Sequence, residues 1–362
     1  MDLRSGAQWT WLETVIGALL VGLAVAEIVV SSSPVQRAEQ SLSVDVKSAS
    51  LTDQASTVHL AISHGSPPQD LDVAAFPLGD RPIRESSVYV YDDSRFPAAD
   101  VAPTVPQGIF DHLSGELTTR QYSLPVVAVS AEDLAKVLID TASAPGRVVV
   151  MMTGVLPANV FSKDADLVSP WVQAGGVAVW GGGAMGFWSG RSGRPLSAGD
   201  ALGEAGTERL LGSNVVQSPT TFGREGDVQS AFASALNITY SFTGAGVFLG
   251  SVTAHGGLDL GWDSGEFTSV AYLPRGSGGF LIFGGEIPDE ASVSVDLARI
   301  LMSGAIYGIG KVASKHLTLA GPASGETVDW ALPFSAPSGG IMLVAFDPSP
   351  DALYFFKRQI KP

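Results

Sequence analysis

The chain has 362 residues, 45% of them hydrophobic and 16% charged, a balance that describes a folded protein rather than a disordered one. Its 36 acidic against 21 basic residues leave a net charge of −15, which excludes the basic stripe a nucleic-acid partner requires. It has no cysteine and five scattered histidines, so disulfides, thiolate metal sites and a cysteine nucleophile are excluded; without an HxH or HExxH spacing no metal site or cofactor is expected.

In chain order, the first element is the apolar stretch Trp9 to Val30. As a helix it would be about 33 Å long at ~1.5 Å per residue, enough to span a hydrocarbon core of roughly 30 Å. Trp9 and Trp11 suit an interfacial aromatic belt, and Ala18, Gly22 and Ala26 put small residues on one face. The expectation is one transmembrane helix in a unit 1–33, a single-pass cell-membrane location with the bulk of the chain outside the cytoplasm, and membrane lipid as a partner. Two alternatives stay open: cleavage after Ala24-Val25-Ala26, and a pilin-like leader with Glu13 inside the apolar helix.

Ser31-Ser32-Ser33-Pro34 ends that segment. Leu42 to Val46 and Thr57 to Ile62 alternate apolar with polar residues, which predicts half-buried antiparallel strands. Ser66 to Pro82 is rich in Pro, Asp and Gly and reads as a linker or a long surface crossing. These residues form a unit 34–86.

From Ser87 apolar runs alternate with helical patterns. The predicted strands are Val88–Tyr91, Val126–Val129, Arg147–Met152 and Val177–Trp180; the predicted helices are Gln107–Leu117, Ser130–Ala142 and Asp164–Ala174. Ser130 is a helix cap with Glu132 and Asp133 in the first turn. Such alternation predicts a parallel sheet covered on both faces. Beyond a Gly/Ser/Thr-rich stretch come a helix over Asp227–Leu236, strands over Val247–Val252, Thr268–Leu273 and Gly279–Phe283, and a helix from Pro288 through Ile306. This unit spans 87–310. The tail 311–362 reads as short strands at Leu317–Leu319, Thr327–Leu332, Gly340–Phe346 and Ala352–Phe356, a β-sandwich pattern that the two early strands would complete.

Four passages, VYVYDD (88–93), RVVVMMTGVLP (147–157), GGVAVWGGGAMG (175–186) and GGFLIFGGEIPDEASVSVDLARILMSGAIYG (278–308), resemble the class I glutamine amidotransferase-like fold. The resemblance covers roughly three-fifths of the chain. It implies an α/β fold with a flavodoxin/amidotransferase-like parallel sheet, beside a β-sandwich-like domain and behind the transmembrane helix. The active members' G-x-C-x-G elbow is replaced here by Gly181-Gly182-Gly183-Ala184-Met185-Gly186, and Gly284-Gly285-Glu286 stands where their His-x-Glu pair would be. The resemblance therefore implies a branch of the fold with no catalytic residue.

Candidate binding residues remain. Asp92 and Asp93 follow a strand at the edge where α/β proteins place their sites, and Glu286 follows another; paired carboxylates suit glycoside chemistry. Against this, Asp92 and Asp93 also suit caps, and Glu286 a solvated loop. Trp180, Phe187 and Trp188 offer faces for a sugar, or core packing. Gly182 and Gly183 could bare amides to an anion. Asn237-Ile238-Thr239 matches a glycosylation acceptor. The leading expectation is a non-catalytic, membrane-anchored subunit of a cell-envelope assembly that binds protein partners or self-associates. The alternatives are an anchored hydrolase or carbohydrate-binding protein with a glycan partner, and a pilin-like filament subunit.

Overall fold

The computed structural model describes residues 42–51, 56–63, 69–80, 85–118, 123–212, 227–241, 244–319, 326–348 and 355–362. Its centre is a seven-stranded sheet. Strands β4 (Ser87–Tyr91), β5 (Val126–Val129), β6 (Arg147–Met152), β7 (Val177–Gly181), β8 (Val270–Arg275) and β9 (Gly278–Phe283) are joined by the edge strand Leu258–Asp259, in the order Leu258–Asp259, β8, β9, β7, β6, β4, β5. The five strands from β9 to β5 run parallel; β8 pairs antiparallel with β9, and Leu258–Asp259 antiparallel with β8.

Period-2 alternation divides these nearly continuous apolar strands into two buried faces. Val88, Val90, Val150, Met152, Val179, Leu281 and Phe283 face one core. There they meet Ile109, Leu113 and Leu117 of α1 (Val105–Leu117) and Leu297, Ile300 and Leu301 of the last long helix. Tyr91, Val149, Met151, Ala178, Trp180 and Ile282 face the opposite core. Its helices are α2 (Ala131–Ile139), α3 (Val168–Gln173), α4 (Gly203–Leu211) and a later short one. Fully burying one such side chain is worth ~1.5–3 kcal/mol, which is why these runs settle at the centre.

The helices have local causes. Ser130 accepts the Asp133 backbone N–H and starts α2. Pro106 sits in the first turn of α1, where its missing N–H costs nothing. Further along lie α5 (Ala231–Ala235), α6 (Leu249–Ala254) and α7 (Ser294–Ser303). Gly304, at φ 70°, ends α7.

A second body holds two sheets. One orders β1 (Ser43–Leu51), β2 (Ser56–Ser63) and β11 (Glu326–Leu332). The other orders β10 (Ala313–Leu319), β3 (Gln69–Pro77), β12 (Ile341–Phe346) and β13 (Phe355–Ile360). Val58, Leu60 and Ile62 of the first sheet share a core with Leu71, Val73, Ile341 and Leu343 of the second.

The expected fold class needs correction in its parallel sheet and its transmembrane helix. The central sheet is mixed rather than parallel. The two sheets of the β-rich part share a core as a β-sandwich-like body does, but β3 and β12 also turn Ala74, Phe76, Met342, Val344 and Phe346 into the core that holds α7, so these two strands are buried on both faces. Among the described residues there are seven α-helices, and none is long and apolar enough to cross a membrane. The single-pass anchor, the cell-membrane location and the lipid partner are corrected with it; Trp9–Val30, the segment they rested on, lies outside the described residues.

Candidate functional site

At the carboxyl edge of the parallel strands the chain leaves β4 and returns over the sheet before entering α1. Ala99 N–H donates to Thr153 O at 3.0 Å, Ile287 N–H to Asp100 O at 2.9 Å, and Ala102 N–H to Ile287 O at 3.0 Å. These bonds lash the segment Ala99–Ala102 to the ends of β6 and β9. Asp100 holds φ 59°, a left-handed conformation that few side chains other than Asn and Asp adopt readily. Its carboxylate sits over Gly183: a Cβ added there would lie 2.5 Å from Asp100 Oδ2. That close approach explains a glycine at this step better than an open anion cradle does.

A second wall comes from Tyr240-Ser241. Thr239 N–H donates to Asp296 Oδ2 at 2.8 Å, and Tyr240 N–H donates to the same oxygen. Ser269 Oγ donates to Tyr240 O at 2.9 Å, and Tyr240 Oη donates to Gly284 O. The Tyr240 ring stands edge-on to Phe283 with centroids 5.2 Å apart. Burial pushes the Asp296 carboxyl up, against the two backbone donors that pull it down.

Between these walls lies a cavity of about 540 Å³. Asp100, Val101 and Ala102 line it on one side, Tyr240 and Ser241 on another, and Glu286, Ile287, Pro288 and Ser292 on the third. Asp100 and Glu286 are exposed, and neither belongs to an ion pair among the described residues. No Lys, Arg or His appears in the lining. Ser241 is 8% exposed, and its hydroxyl has no hydrogen-bond partner among the described residues.

Of the sequence-based candidates, only Glu286 reaches this cavity. Asp93 is occupied structurally: Arg95 donates to it through Nε at 2.8 Å and a terminal nitrogen at 2.6 Å, and Ala131 N–H donates at 3.0 Å. The Arg95 hydrogen bonds hold its carboxyl down at about 2. Asp92 is half-buried, and burial, then the Asp93 charge, pushes its carboxyl up. Trp180 is fully buried on the opposite face of the sheet, its Nε1–H donating to Gly183 O at 3.1 Å. Trp188 is half-buried and packs edge-on to Phe187 at 5.2 Å. Gly182 is closed over by Val101 and the Ala99 carbonyl, and Gly183 N–H donates to Gly285 O at 3.5 Å. Asn237 is half-buried, and its side-chain amide donates to Pro348 O at 3.3 Å, so a glycan there would have to displace that bond.

The sequence reading missed Asp100, Tyr240, Ser241 and Ser292. One signal was available for Asp100: it lies in the loop between a parallel strand and its following helix, at the carboxyl edge. Among the described residues no group of three or more His, Asp or Glu side chains could hold a metal ion.

No protein-family model matches the chain, and no curated protein matches its sequence. Among solved structures it is similar to an exo-β-1,4-mannosidase from Opitutaceae bacterium strain TAV5, at 16% identity and TM-score 0.33, over 62% of this chain and 35% of that one. It is also similar to a cold-adapted β-galactosidase from Rahnella sp. R3, at 11% identity and TM-score 0.36, over 69% of this chain and 41% of that one. A family GH42 β-galactosidase from G. stearothermophilus matches at 12% identity and TM-score 0.36, over 77% of this chain and 39% of that one. These solved structures are glycoside hydrolases, and neither the amidotransferase-like resemblance nor the non-catalytic envelope-subunit role expected from it finds support in any of these comparisons. The chain spans well under half the length of each, and at these TM-scores the likeness carries no argument about what this chain does.

Proposed function

We propose that the chain is a carbohydrate-binding protein whose ligand sits in the cavity walled by Asp100, Ser241 and Glu286. The observation that carries this reading is the pairing of two carboxylates with a lining free of basic side chains. Ionised carboxylates only accept hydrogen bonds, so the ligand must donate them. A neutral sugar does so through several hydroxyls at once, whereas a phosphate or carboxylate ligand would meet two like charges. The volume falls within the roughly 300–1,000 Å³ of small-molecule sites.

Titration calorimetry with glucose, galactose, mannose and their β-1,4-linked disaccharides tests the reading. At least one should bind, and Glu286→Gln should weaken it by about tenfold, ~1.4 kcal/mol, because an amide replaces half of the acceptor capacity with a donor. No heat from any of these sugars, or equal affinity in the variant, overturns it. A second reading, glycoside hydrolysis, is favoured by the placement of both carboxylates on one cavity, the equipment for an acid and a base or nucleophile. It requires cleavage of aryl glycosides that Asp100→Asn and Glu286→Gln each abolish without unfolding the chain.

A further inference from the structure

We propose that Ser241 is a specificity-determining residue of this cavity: its hydroxyl hydrogen-bonds one particular hydroxyl of the bound sugar. The proposal rests on the carbohydrate reading of the site and adds the group that selects among sugars. Ser241 forms part of the cavity wall, is shielded from bulk water, and has no partner for its hydroxyl among the described residues. Buried polar groups in folded proteins are nearly always bonded, so an orphan beside a cavity marks a place where a ligand atom completes the set.

The backbone around it is fixed rather than slack. Tyr240 immediately before it is held at its N–H by Asp296, at its carbonyl by Ser269 and at its ring hydroxyl by the Gly284 carbonyl. The hydroxyl oxygen itself is inaccessible in this rotamer, so with the main chain held a ligand would be met by rotation about the one side-chain bond. A serine hydroxyl both donates and accepts, which matches a sugar hydroxyl. Asp100 and Glu286, by contrast, accept from any donor and distinguish sugars less. A site built to bond a substrate hydroxyl discriminates strongly against the analogue lacking it, since its own buried group is then stranded.

The test uses the full chain and the tightest-binding sugar of the calorimetric panel, together with its monodeoxy analogues. Ser241→Ala should bind the parent sugar about tenfold more weakly, and one monodeoxy analogue should bind wild type and variant equally, identifying the hydroxyl that Ser241 reads. Without ligand, the variant should melt at the wild-type temperature or above, because no internal hydrogen bond is lost. Full affinity of Ser241→Ala for the parent sugar, or equal weakening across every deoxy analogue, overturns the proposal. A melting temperature lowered by several degrees also overturns it, since the hydroxyl would then serve the fold. Failure of wild type to bind any sugar instead removes the carbohydrate reading itself. Weakening by Glu286→Gln with no effect of Ser241→Ala removes this inference alone.

Discussion

Asp93 and Asp259 are charged alike in the sequence and behave oppositely in the fold. Asp93 is chelated by Arg95 and takes the first N–H of α2, and its carboxyl is pulled from 3.8 to about 2. A depressed carboxyl contributes stability that is present above its unfolded value and is lost as pH falls from about 4 towards 2. Asp93→Asn should therefore cost ~1–2 kcal/mol at neutral pH and flatten the acid limb of a urea-unfolding series. Asp259 is pushed up to about 6 by burial, against hydrogen bonds from Thr268 Oγ1 and Gly261 N–H. Here the folded state holds a proton that the unfolded state has released, so stability falls as pH rises from about 4 to 6 and then levels. Unfolding midpoints at pH 4 and pH 7 should show that fall in the wild type and not in Asp259→Asn. Only part of this is legible locally: Arg95, two residues on, is the main partner of Asp93, whereas the helix start at Ala131 and the burial of Asp259 are set by the fold. The cavity was hidden for the same reason. Asp100, Ser241 and Glu286 are separated by long stretches of chain, and only the return of three loops to one sheet edge brings them together.

Elements were legible where one physical pattern dominated. The apolar runs at 88–91, 147–152 and 177–180 lie in strands because burial on both faces leaves no polar alternation. Val247–Val252 was read as one strand, yet only Val247–Phe248 is extended and Leu249–Ala254 is helical; six mixed residues carry too little periodicity to separate the two. The composition of 66–82 predicts a linker or surface crossing, yet 69–77 within it is β3, a strand buried on both faces. Its flanking Pro, Gly and Asp residues hid it. The segment Ala99–Ala102 depends on a single backbone crossing. A Cβ at Gly154, where φ is +66°, would stand 1.7 Å from the Ala99 carbonyl oxygen. Gly154→Ala should therefore destabilise the chain by more than ~2 kcal/mol, from left-handed strain and a clash with main chain that cannot step aside. Sugar affinity should fall with it, because Asp100 loses its footing. Gly193→Ala is the control: φ is +75° but nothing lies within 4 Å, so only the strain of about 1 kcal/mol applies. Equal melting temperatures for the two variants would show that the crossing is not what holds the segment.

At the scale of the molecule, the early and late strands belong together although the central sheet separates them in sequence. β2 pairs with β11 from Ser56↔Leu332 to Ile62↔Glu326, and β3 pairs with β10 and β12 on its two sides. The alternation of the early and late strands let the sequence suggest that pairing. It could not show that the four-stranded sheet is also a wall of the central core. Phe76 lies 5.9 Å from Phe232 between ring centroids, and the Arg299 guanidinium of α7 stands over Phe346 at 5.7 Å. Arg299 also donates to Asn237 O at 2.6 Å, while Asp296, one turn earlier on α7, holds Thr239 and Tyr240 at the cavity. The same helix thus ties the β-rich body to the cavity wall. Ending the chain after Leu319 removes β11, β12 and β13, which bares one edge of β3 and takes Trp330, Leu332, Ile341 and Leu343 from the core around Leu71 and Val73, and Met342, Val344 and Phe346 from the core around Phe76. The truncated chain should aggregate, and the intact chain should melt in one calorimetric transition whose van't Hoff and calorimetric enthalpies agree. Phe346→Ala, a cavity-forming change of ~3–5 kcal/mol, should lower that single transition rather than split it. Two separated transitions, or a soluble, cooperatively folding truncated chain, would show that the β-rich body and the central sheet stand independently and that the cavity wall does not depend on the tail.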